Sequence, residues 1–190
     1  MIANGNAPTL NERIARVLIA AGTRRPVVRS ISRVPEPLID QMYTEELGRQ
    51  STSGQLPSSL EWFTKSHRIQ IHGAFVLLAY RRITQSLRGP AFDGLLPRQK
   101  KEVAFTRTLT YYQEICGGAD KTVVSSQRLY TLLGTFGDAR QISERGNEAA
   151  EIKLHFCASC KVPLIIPRDY LEYHCGECKP NARRGQRHPS

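Results

Sequence analysis

The sequence predicts a mainly α-helical protein with an amino-terminal helix-turn-helix-like module and a carboxyl-terminal four-cysteine zinc ribbon. Three observations carry this. Apolar residues recur at helical period through most of the chain, and proline or a capping side chain stands at the start of several periodic runs. Cysteines come as two Cys-x-x-Cys pairs, Cys157/Cys160 and Cys175/Cys178, within one short segment. Residues 1–50 read as the helix-turn-helix-like module, 51–150 as a helical core, and 151–190 as the zinc ribbon with a basic tail.

The elements follow in order. Thr9-Leu10-Asn11-Glu12 has the spacing of a capping box, in which hydroxyl and carboxylate satisfy the first free N–H groups. Leu10, Ile14, Val17, Leu18 and Ala21 then form one face, and Gly22 is a stop. A basic segment from Thr23 to Ile31 holds Pro26 where a first helical turn tolerates it. Ser32-Arg33-Val34 makes a tight connection, and Pro35 opens a third helix with a stripe of Leu38, Ile39, Met42, Tyr43 and Leu47, closed by Gly48. Three helices with a short turn between the second and third suggest a helix-turn-helix.

The serine- and glycine-rich stretch from Arg49 to Pro57 reads as a hinge. Ser58-Ser59-Leu60-Glu61 repeats the capping-box spacing before Trp62-Phe63. A long helix from about Arg68 to Leu87 would bury His72, Phe75, Val76, Ala79 and Ile83, and Gly89-Pro90 ends it. Pro97 opens the next helix, which runs to about Cys116. Ser125 caps another through Leu129, Leu132, Leu133 and Phe136. Asp138 to Glu151 either extends that helix or forms a linker. Cys116 reads as core packing and His72 as a satisfied core histidine.

Each Cys-x-x-Cys can turn two sulfurs toward one point, so Cys157, Cys160, Cys175 and Cys178 complete a tetrahedral soft-ligand shell that suits zinc. An iron–sulfur cluster uses the same ligands, and a redox dithiol needs only one pair. Structural zinc is preferred because so small a segment has too little core to fold unaided. Leu164-Ile165-Ile166 between the pairs reads as a short strand. His155 and His174 flank the knuckles and read as surface groups or neighbours of the ligands. A closed four-thiolate shell leaves no position for a reactive water, and no phosphate-binding glycine loop or nucleophile–base pair stands out. The chain is therefore expected not to be an enzyme.

The formal net charge is +10. Four thiolates around Zn2+ bring it to about +8, a balance that suits a polyanion. Two acid-free clusters are candidate nucleic-acid contacts: Arg24, Arg25, Arg29 and Arg33, and the tail residues Lys179, Arg183, Arg184 and Arg187. The third helix carries Glu36, Asp40 and Glu45, which phosphates repel, so the arginines before it are better candidates than the helix itself. No apolar run is long enough to span a bilayer, and Met1 to Thr9 lacks the order of a signal peptide; both point to the cytoplasm.

The order of these features resembles the FlhC family, the C subunit of the flagellar master transcription regulator. The residues that carry the likeness are Gly54-Gln55-Leu56-Pro57 before Trp62-Phe63, then Ile71-His72-Gly73-Ala74-Phe75, Phe156-Cys157-x-x-Cys160, and Cys175-x-x-Cys178-Lys179-Pro180 with trailing arginines. The resemblance implies zinc on the four cysteines and a hetero-oligomer of four D-type with two C-type subunits. It also implies binding to double-stranded promoter DNA and recruitment of RNA polymerase with the housekeeping sigma factor. The third helix is more acidic than expected of flagellar members, the segment before the first knuckle is longer, and the knuckle surroundings differ. These departures leave flagellar promoters and the conjugative-transfer promoters of plasmids and integrative elements both open. An RNA- or ribosome-associated zinc-ribbon protein is the alternative that composition allows.

Overall fold

In the computed structural model, which describes residues 7–136, 151–171 and 173–178, helices dominate. In chain order they are α1 (Leu10–Ala20), α2 (Arg25–Ser32), α3 (Glu36–Leu47), α4 (His67–Ser86), α5 (Pro97–Cys116) and α6 (Ser126–Phe136). The described strands are β1 (Ile152–Phe156) and β2 (Pro163–Pro167). The chain divides into two units: one holds the residues up to Pro57 with Arg82–Tyr130, the other Ser58–Arg81 with the residues from Thr131.

In the first unit α2, α3 and α5 all pack on α1. The capping box of α1 forms as expected: the Glu12 carboxylate accepts from the Thr9 N–H at 2.8 Å, and Thr9 Oγ1 accepts from the Glu12 N–H at 3.2 Å. The buried face is Ile14, Ala15, Leu18 and Ile19, and Val17 is 39% exposed. Apolar residues cover more than half of this helix, so period alone did not fix the centre of its face.

After α2, Arg33 adopts left-handed backbone (φ 59°) and its N–H returns to the Arg29 carbonyl at 2.9 Å. This non-glycine reversal makes the tight connection to α3. Gly48 closes α3 in the same conformation. Ile39, Met42 and Tyr43 of α3 are buried, and the Tyr43 hydroxyl donates to the Thr23 carbonyl. Leu38 is only half-buried and Leu47 is exposed, so the expected stripe is narrower than drawn. The stretch read as a hinge is tied to the start of α2: Ser51 Oγ accepts from the Arg25 N–H at 2.9 Å, and the Gln55 carbonyl accepts from Arg24 Nη1 at 3.2 Å.

Helix α5 begins at Pro97 as expected, with Gln99 Oε1 accepting from the Leu96 N–H at 2.8 Å. Tyr112 is buried, and its hydroxyl accepts from the N–H groups of Val123 (3.2 Å) and Val124 (3.1 Å). It thereby pins the connection into α6. Burial pushes the Tyr112 hydroxyl up to about 12. Cys116 is half-buried at the helix end, less enclosed than core packing requires.

In the second unit, Ser58-x-x-Glu61 does not form a capping box. Leu60 occupies the cap position of a single 3-10 turn, Glu61–Thr64, with no side-chain bond. Ser66 caps α4 instead, accepting from the Ile69 N–H at 3.3 Å. The buried face of α4 is Gln70, Gly73, Ala74, Val76, Leu77 and Tyr80, whereas His72, Phe75, Ala79 and Ile83 are half-buried. Gly73 explains the difference. A Cβ there would stand 2.8 Å from Ile165 Cδ1 and 2.9 Å from Phe63 Cδ1. The residue that adds nothing to an apolar stripe sits where a side chain has no room.

Candidate metal centre and basic surfaces

Strands β1 and β2 pair antiparallel, with Ile152 opposite Pro167 and Phe156 opposite Pro163. The first Cys-x-x-Cys occupies their connection. The Cys157 N–H donates to the Val162 carbonyl (2.9 Å) and the Lys161 N–H to the Cys157 carbonyl (3.0 Å). Lys161 supplies the left-handed residue (φ 62°) that turns the knuckle. The second pair arrives on the segment after β2. There the Ala158 N–H donates to the Tyr173 carbonyl (3.1 Å), and the Cys175 N–H points at Cys157 Sγ (3.2 Å). Cys157, Cys175, Leu164 and Ile166 form a small buried cluster, against which Ile71, Val162 and Tyr173 pack. Strand β1 was not foreseen. Its mark in the sequence is the alternation Ile152, Leu154, Phe156, just after the stretch from Asp138 to Glu151 read as helix extension or linker, of which 138–150 lie outside the described residues.

The four sulfurs all lie within 4.8 Å of one another, with Cys160 Sγ 3.6 Å from Cys175 Sγ. A tetrahedral shell with Zn–S bonds of about 2.3 Å sets sulfurs about 3.8 Å apart, whereas a disulfide needs about 2.05 Å. The arrangement therefore fits a metal ion. Burial opposes ionisation of the Cys157 thiol, but the N–H groups of Cys175, Cys160 and Ser159 outweigh it and hold this thiol at about 5. Hydrogen bonds with the Cys175 and Cys160 sulfurs push Cys178 up to about 12. One thiolate thus opposes the formation of another beside it, and a divalent cation removes that opposition. Cys157 and Cys175 are buried, while Cys160 and Cys178 are exposed. His174 is not one of the four; its Nδ1 lies 2.9 Å from Ser159 Oγ, joining the two knuckles. His155, on β1, is half-buried.

The arginines of α2 meet the acids of α3. Arg25 pairs with Asp40 at 3.1 Å, Arg29 pairs with Glu36, and Arg16 of α1 takes Glu45 and Glu46, each at 2.7 Å. Of the acids that made α3 a poor recognition helix, Glu36 and Asp40 are therefore paired by the basic segment before it and Glu45 by α1. Arg24 spends one N–H on Gln55, and Arg33 lines an open groove of about 620 Å³ with Pro26, Arg29 and Glu36. Lys179, Arg183, Arg184 and Arg187 lie outside the described residues. Among the described residues no helix is long and apolar enough to cross a membrane.

Comparison with known proteins finds one family along most of the chain. The model of the family described as flagellar transcriptional activator (FlhC) matches residues 9–189. The chain is 28% identical over 176 residues to a flagellar transcriptional regulator FlhC of Cupriavidus necator, covering 92% of this chain and 76% of that protein. To the protein of the same name from Gallionella capsiferriformans it is 26% identical, covering 92% and 86%. To that from Verminephrobacter eiseniae it is 25% identical, covering 90% and 83%.

Proposed function

Because the chain belongs to the FlhC family of flagellar transcriptional activators, we propose that it is the DNA-binding C-type subunit of an activator complex. The observation that carries the reading is the extent of the match. Residues 9–189 take in the three-helix module, the four cysteines and the basic tail together. In this reading Cys157, Cys160, Cys175 and Cys178 hold one zinc ion. The ion's contribution is structural: it closes the hairpin that a cluster of four buried residues cannot hold alone. The tail Lys179, Arg183, Arg184 and Arg187 follows the last ligand directly in sequence. Together with Arg24, Arg25, Arg29 and Arg33 it supplies contacts to the phosphates of double-stranded promoter DNA.

The complex includes a D-type partner, four with two C-type chains, and recruits RNA polymerase carrying the housekeeping sigma factor. The relatives' names favour flagellar promoters; conjugative-transfer promoters remain the second class of target. A gel-shift titration with promoter duplex, for the chain alone and with its D-type partner, tests the reading. Retarded duplex with the partner present is expected. No retardation in either state at low salt sinks it, and stronger retention of structured RNA than of duplex would transfer the chain to an RNA-binding role.

A further inference from the structure

We propose that the solvent face of α5 is a phosphate-contact surface for duplex DNA, with Lys100 and Arg107 as its charged contacts. This rests on the DNA-binding reading above. The geometry of the first unit points away from α1 and α2 as the sole footprint. Arg16, Arg25 and Arg29 are each held by a carboxylate, and a phosphate must displace that carboxylate to reach them.

Helix α5 has the opposite balance. Over Pro97–Cys116 it carries Arg98, Lys100, Lys101 and Arg107 against two acids, Glu102 and Glu114. Glu102 is 6% exposed and accepts from Arg98 Nε at 2.7 Å. At about 100° per residue, Lys100, Val103, Arg107, Thr110 and Tyr111 share one face, opposite Phe105, Leu109 and Tyr112. Exposure agrees: Arg107, Thr110 and Tyr111 are exposed, Lys100 and Val103 are half-buried, and the opposite three are buried. Neither Lys100 nor Arg107 has a carboxylate partner among the described residues. Glu114, at the far end of the helix, bounds the face.

Arg107 is also held in place. Its guanidinium carbon lies 5.2 Å from the centroid of the Phe92 ring. A cation–π contact of this kind does not use up the guanidinium's five N–H donors, which a phosphate can take two at a time. Lys100 stands two turns away, about 10 Å along the axis, so the two cations address separate phosphates. Phosphate contacts are sequence-independent. The surface therefore positions the duplex and leaves base reading to other residues.

The test uses the full zinc-loaded chain with its D-type partner and a labelled duplex of arbitrary sequence, over about 50 to 200 mM salt. For Lys100→Gln/Arg107→Gln the proposal expects about tenfold weaker binding, and a plot of log affinity against log salt shallower by about two. Circular dichroism and thermal melting establish that the variant is folded. Should the double variant not fold, Lys100→Gln alone is expected to flatten the slope by about one, with Lys100→Arg restoring it. Wild-type binding with an unchanged slope in the folded variant overturns the proposal. So does unchanged duplex binding with lost association of the D-type partner, which assigns this face to a protein. A wild-type complex that binds no duplex at low salt overturns the DNA-binding reading itself.

Discussion

Glu36 and Arg29 form an ion pair across the turn between α2 and α3, and such pairs decide which cations a polyanion can reach. The pair is exposed, so its own worth is about 0–1 kcal/mol. Its effect on DNA binding is larger if Arg29 meets a phosphate, because the phosphate must then compete with Glu36. We predict that Glu36→Gln tightens duplex binding several-fold and steepens its salt dependence, read by fluorescence anisotropy. An unchanged slope would place Arg29 outside the footprint. Arg29→Ala is expected to act in the reverse direction, flattening the slope by about one. At this scale the four cysteines were legible because spacing alone sets their geometry: Cys-x-x-Cys turns two sulfurs to one point. The pairing of Arg25 with Asp40 was not legible. It joins two helices, and an acid on an exposed helical face looks the same whether it repels phosphate or engages an arginine.

The elements were legible wherever their ends are chemically marked. Thr9 and Glu12, Gly48, Pro97 and Ser125 each stand where a local bond or a backbone preference decides, and α1, α3, α5 and α6 begin or end there. The faces were less legible. On α4 the contact that matters is made by Gly73, which gives no hydrophobic signal. We predict that Gly73→Ala destabilises the second unit by about 1–3 kcal/mol, since its new methyl meets Ile165 and Phe63. Thermal melting with zinc present measures this; an unchanged midpoint would mean that both side chains give way freely.

Tyr112 offers a test in the first unit. Tyr112→Phe leaves the N–H groups of Val123 and Val124 without their acceptor, at a cost of about 1–3 kcal/mol in chemical denaturation. Burial favours the neutral hydroxyl, so the folded state ionises at about 12 and the unfolded chain at about 10. The sign follows: this contribution is present below about pH 10 and is lost as pH rises toward about 12. Wild type should show that alkaline loss and the phenylalanine variant should lack it. The same loss in both would assign it to other groups.

For the whole molecule, charge and the cysteine cluster are separate features. The net +10 supplies attraction to a polyanion without specifying where it acts. The cysteine cluster brings four sulfurs together in a segment that has only a few buried residues of its own. The order of motifs made the family legible. The division into units that α4 and α6 both pass through was not legible, because it depends on contacts far apart in sequence.

The central claim is that a metal-closed hairpin supports the DNA-binding state. It is tested most directly by measuring zinc content and promoter-duplex affinity on one preparation, with its D-type partner, before and after chelation, alongside Cys157→Ser. The account predicts one zinc per chain, with duplex affinity lost as the metal leaves, recovered when zinc returns to wild type, and absent in the variant. Full duplex affinity in metal-free protein would contradict it.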